Sequence, residues 1–187
     1  MKNRLAIFSL LLLFPTVRLG AQTAGAQTPA ASKPDVMSSF EFVVGIWQPV
    51  ADPAHPAKYV ETLTYAPIQD GKFVASQQIY RDQDGKIIYK DLAVFGEDPD
   101  THQLFFHAYN TDGSIDRSHA IDGPAGQWIF LGTVYGSPKF KDYRYTMTKL
   151  DDDHMRILIE LKKNEKFEKL SEESYERTSK TASPQIQ

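Results

Sequence analysis

The chain has 187 residues, with 21 Lys and Arg against 24 Asp and Glu, and no cysteine. The missing cysteines exclude disulfides, thiolate metal sites, thiol nucleophiles and lipid attachment through an N-terminal Cys, so packing alone must hold the fold. The mildly acidic balance argues against nucleic acid and anionic membranes as partners.

Lys2 and Arg4 precede an apolar run from Leu5 to Phe14, and small residues follow at Ala21 and from Ala24 to Ala26. That is the layout of a secretory signal peptide. The run is roughly ten residues, short of the roughly twenty a membrane-spanning helix needs, so cleavage is expected rather than a permanent membrane anchor. Ala24-Gly25-Ala26 fits the small-x-small cleavage rule better than Leu19-Gly20-Ala21, because Leu19 is large. The expected organisation is a signal peptide over 1–26, a flexible lead-in over 27–34, one domain over 35–179 and a disordered tail over 180–187, in a periplasmic or secreted protein. Removing Lys2, Arg4 and Arg18 leaves 18 basic against 24 acidic residues, a net charge of −6.

The first element expected is a short helix from Asp35 to Val43, with Asp35 placed to cap it and Val36, Phe40 and Val43 on one face. A strand from Gly45 comes next, followed by an irregular loop carrying Pro49, Pro53 and Pro56. Turn signals then recur evenly: Asp70-Gly71, Asp84-Gly85, Asp98-Pro99, Asp112-Gly113, Gly123-Pro124, Gly136-Ser137-Pro138, Asp151 to Asp153 and Asn164. Segments rich in Tyr, Phe, Val, Ile and Thr separate them: Tyr59 to Tyr65, Phe73 to Tyr80, Ile87 to Phe95, Leu104 to Tyr109, Ile115 to Ile121, Trp128 to Val134, Tyr143 to Met147, Met155 to Leu161 and Ser174 to Thr178. Such segments read as strands. A meander of this kind hides its edges most simply by closing, so the expected fold is all-β, an antiparallel up-and-down barrel of about 8–10 strands with a short N-terminal helix. Pairing Lys149 with Met155 across the acidic turn sets Tyr145 opposite Ile159 and Met147 opposite Ile157 on an inward face, and Arg144 opposite Glu160 on the outside.

Phe40, Phe42, Gly45, Ile46 and Trp47 open the barrel, and Tyr175-Glu176-Arg177 end its last strand. This arrangement resembles the calycin superfamily, and within it the small exported bacterial lipocalin-like families of unknown function. The resemblance implies that Gly45 and Trp47 form the first-strand Gly-x-Trp signature, with the indole across a closed barrel end and Arg177 packed over it. The related haem-binding nitrobindin-like barrels follow Gly-x-Trp with another glycine and ligate iron through a late histidine. Here Gln48-Pro49 follows, and after His119 only His154 remains, so no haem or other cofactor is expected.

Sequence patterns for chemistry are few. There is no phosphate loop and no nucleophile elbow. A two-residue turn at Asp112-Gly113 would put His107 and His119 on different faces, so no metal site is expected there. The strand carboxylates Glu61, Asp91, Asp116 and Glu160 read as exterior charges. What stands out is aromatic surface. The pool for lining a ligand cavity is Phe73, Tyr80, Phe95, Phe106, Trp128 and Tyr145, for a small apolar or amphipathic ligand held by a carrier or sensor. The rival readings are a filled barrel acting as an interaction module and, behind it, an enzyme using the cavity.

Overall fold

The computed structural model describes residue 38 and residues 40–54, 57–137 and 141–182. The expected signal peptide and lead-in, together with Asp35 and Val36, lie outside them. The described residues form one closed antiparallel barrel of ten strands in strictly sequential order, with the first strand paired to the last. The strands are β1 (Gly45–Pro49), β2 (Val60–Ile68), β3 (Phe73–Arg81), β4 (Ile87–Glu97), β5 (Leu104–Asn110), β6 (Ile115–Ile121), β7 (Gln127–Tyr135), β8 (Asp142–Lys149), β9 (His154–Lys163) and β10 (Lys166–Ser179).

Tight turns made by positive-φ glycines explain the rhythm: Gly71, Gly85 and Gly113 have φ of 80°, 80° and 83°. The β8–β9 hairpin has the expected register, Tyr145 facing Ile159 and Met147 facing Ile157, and Arg144 meets Glu160 through two hydrogen bonds of 2.5 and 2.7 Å. That ion pair is on the outer face, where the Phe167 ring from β10 lies 4.6 Å from the guanidinium.

Two expectations are corrected. The expected helix does not run on to Val43: among the described residues Ser38 and Phe40 are helical, but Glu41–Val43 is a three-residue 3-10 turn with no side-chain cap. The segment still closes one barrel end. Phe40 and Val43 are fully buried, Phe40 packs on Phe95 and Phe130, and Phe42 stacks on Trp128 at 4.3 Å. The second correction is the β5–β6 register. The loop is Thr111 to Gly113, closed by Asn110 and Ser114, with the Asp112 carboxyl accepting from the Ser114 amide at 2.9 Å. His107 therefore faces Arg117 and His119 faces Phe105, which puts both histidines on the outer wall rather than on opposite faces. Burial and the Arg117 charge hold His107 below its ordinary pKa.

At the closed end Trp47 is fully buried, and its indole N–H donates to the Val43 carbonyl at 2.7 Å. Trp47 is directly opposite Arg177 across β1 and β10, and the guanidinium carbon sits 4.2 Å from the indole centroid. Arg177 also donates to the Val44 carbonyl, to Phe42 at 2.5 Å and to Asp152 at 2.6 Å. Gly45 is required beside it. Its φ is 141°, and a Cβ there would collide with the Ser179 carbonyl.

A double-mutant cycle of Trp47→Phe and Arg177→Met, read by denaturant unfolding, is expected to give a coupling of about 0.5–2 kcal/mol, the range of a desolvated cation–π contact. Additive effects would show that the stacking contributes nothing beyond each residue's own packing.

Candidate functional site

The inward-facing side chains fall into two zones along the barrel. In the lower one Trp47, Phe40, Val43, Phe130, Met147 and Met155 are fully buried. The lower half is filled. Above it is a cavity of about 400 Å³. Its floor is apolar, made of Phe95 stacked on Phe106 at 5.1 Å together with Ala93 and Ala108, whose small side chains leave the space. Tyr65 and Tyr145 reach across the middle with their hydroxyls 3.5 Å apart.

The upper wall is polar. The Glu61 carboxyl accepts from the Tyr175 hydroxyl at 2.7 Å and from the Gln78 side chain at 2.5 Å, and Gln78 also donates to the Tyr80 hydroxyl at 2.9 Å. On the neighbouring strands Asp91 accepts from the Gln78 amide at 3.2 Å, and the Tyr89 hydroxyl donates to Asn110 at 2.9 Å. Asp116 and Tyr143 complete the wall. The Asp116 Oδ1 and the Tyr143 hydroxyl are buried without hydrogen-bond partners. Tyr59, at the end of the proline-bearing loop, packs edge-on against Tyr80 at the rim, with ring centroids 4.9 Å apart. His55 and Pro56 of that loop lie outside the described residues.

Burial pushes Asp91 from its ordinary value of 3.8 up to about 7, with Asp116 and Glu61 adding repulsion and the bonds from Gln78 and Tyr89 opposing it. Burial likewise raises Asp116. Tyr80 and Tyr175 are pushed up by burial and by the Glu61 carboxyl. These phenols stay neutral donors.

Of the aromatic residues proposed from sequence, Tyr80, Phe95, Phe106 and Tyr145 line this cavity. Phe73 does not. Val74, Ser76, Gln78 and Tyr80 form the inner parity of β3, so Phe73, an odd number of residues from Tyr80, faces outward and covers Gly96 beside Phe105. Trp128 has the inner parity of Phe130 but sits at the closed end against Phe42. The reading of the strand carboxylates is also corrected. Only Glu160 is outside; Glu61, Asp91 and Asp116 line the cavity. The sequence carried a usable signal, since Glu61 shares parity with Leu63 and Tyr65, and Asp91 with Ala93 and Phe95, all of them cavity-lining.

Elsewhere, a larger open-sided groove of about 670 Å³ runs along the outer wall past His107, Arg117 and His119. No group of three or more His, Cys, Asp or Glu among the described residues is arranged to hold a metal ion. No helix among them is long and apolar enough to cross a membrane. The interior cavity is the better candidate, because polar groups from five successive strands converge on it. No protein-family model matches this chain, and no curated protein matches it.

Between about pH 4 and pH 7 the folded chain holds the Asp91 proton more tightly than the unfolded chain does, so stability falls as pH rises through this window and then levels off. Asp91→Asn, which mimics the protonated carboxyl, is expected to flatten that fall and to raise the urea midpoint at pH 8. Parallel wild-type and variant profiles across the window would contradict the assignment.

Proposed function

We propose that this chain is an exported binding protein that takes a small amphipathic molecule into the upper half of its barrel, as a carrier or sensor. The observation that carries this reading is the cavity itself. It is within the size range of small-molecule sites, apolar at the floor and polar at the mouth. The two stacked rings of Phe95 and Phe106 offer a flat surface for an apolar portion, while the hydroxyls and carboxyls above give a polar head its hydrogen bonds. The calycin-like features of the sequence and the Trp47–Arg177 contact agree with a barrel that is sealed at one end and open to ligand at the other. Export rests on the basic start and short apolar run. Intact mass of protein recovered from periplasm or medium is expected to begin near Gln22 or Gln27, and an intact Met1 in the membrane fraction would refute it.

A thermal-shift screen of amphipathic and apolar small molecules tests the binding. A ligand of the folded state raises Tm with the logarithm of its concentration. Ala93→Trp, which places an indole in the cavity, is expected to abolish the shift. No shift from any class would overturn the binding role and leave an interaction module in its place.

A further inference from the structure

We propose that the polar head this cavity selects is an organic cation, an ammonium group carried on an apolar tail. The inference rests on the binding role proposed above and names its ligand class. Among the described residues, the charged side chains that line the cavity are all acidic: Glu61, Asp91 and Asp116 in its wall and Asp112 and Glu173 at its rim. Tyrosine is the second recurrent lining type, and Tyr59, Tyr80 and Tyr89 stand together, with Tyr80 edge-on to both neighbours at centroid distances of 4.9 and 5.6 Å. Acidic groups beside clustered ring faces are the two elements that hold an ammonium out of water: charge opposes charge, and the electron-rich ring faces replace part of the hydration shell.

An independent observation comes from the two unpartnered atoms. Asp116 Oδ1 can only accept while ionised, and Tyr143, 5% exposed, has a buried hydroxyl with no partner. Both residues line the cavity. An N–H donor from a ligand head would satisfy the Asp116 oxygen and dilute the repulsion among three neighbouring carboxyls. A ligand carboxylate would do neither, since it brings a fourth acidic group to the same wall.

The cation also explains why the carboxyls are inside. Burying Asp91 and Asp116 opposes their ionisation. A cation beside them offsets that cost on binding, which ties affinity to charge in a way that an uncharged head cannot.

Calorimetric titration of the full chain at pH 8 with three eight-carbon probes tests this: octylammonium, 1-octanol and octanoate. The ammonium is expected to bind at least about tenfold more tightly than octanoate, with the alcohol between them. In Asp91→Asn/Asp116→Asn the preference should collapse while 1-octanol affinity is kept. Glu165→Gln/Glu168→Gln, which removes two charges from the exposed β9–β10 hairpin, should leave the preference intact. Octanoate binding as tightly as the ammonium, or a preference unchanged in the double Asn variant, overturns the cation while leaving the binding role standing. Failure of all three probes to bind overturns both.

Discussion

The fold depends on the seam between the five residues of β1 and the end of β10. A sheet of ten strands remains an open sheet, with two unpaired edges, until its first and last strands meet. Here the meeting strand is short, and Arg177 reinforces it. One guanidinium stacks on the Trp47 ring and donates to carbonyls from the 3-10 turn, from the entry to β1 and from the β8–β9 turn. An Arg suits this position because its planar fork presents several donors in fixed directions while its face stays free to stack. Gly45 lets β10 come close enough for the contact to form.

With that end sealed, the two halves of the interior are under different demands. The lower half is packed by aromatic and aliphatic side chains that are fully buried, among them Trp47, Phe40, Phe130 and Met147. The upper half places carboxyl, amide and phenol groups where burial raises the carboxyl of Asp91 and the phenols of Tyr80 and Tyr175. Such an arrangement is tolerated because most of the groups satisfy one another: Tyr175 and Gln78 serve Glu61, and Tyr89 serves Asn110. Polar groups held inside the barrel in this way cost it stability that an apolar lining of the same shape would not.

Much of the architecture was legible in the sequence because its signals are local. Asp-Gly pairs fix the turns, and the β8–β9 register follows from matching apolar faces across the turn at Asp151 to Asp153. The site was less legible because lining a cavity is a collective property. Phe73 and Tyr80 both looked like lining residues, yet an odd separation on one strand forbids it. Glu61, Asp91 and Asp116 looked like solvent-facing charges, since the usual place for a strand carboxyl is outside. Their inward direction emerges only when the parity of each strand is anchored by a buried partner such as Tyr65 or Phe95. The histidines were misplaced by a single residue of register, set by whether the turn around Gly113 holds two residues or three.

Gly132 on β7 lies between Ser118 and Tyr143, and a Cβ there would meet the Tyr143 ring at 2.6 Å and the Ser118 Cβ at 2.7 Å. The Tyr143 ring thus rests in space left by a missing side chain. Adding even one methyl group at position 132 would force the Tyr143 ring and the Ser118 side chain to give way. The bore of this barrel is therefore adjustable from a position that contributes no side chain of its own. Chains sharing this scaffold could differ in the free volume beside Tyr143 through changes at residue 132 alone, with the seal at the opposite end left as it is.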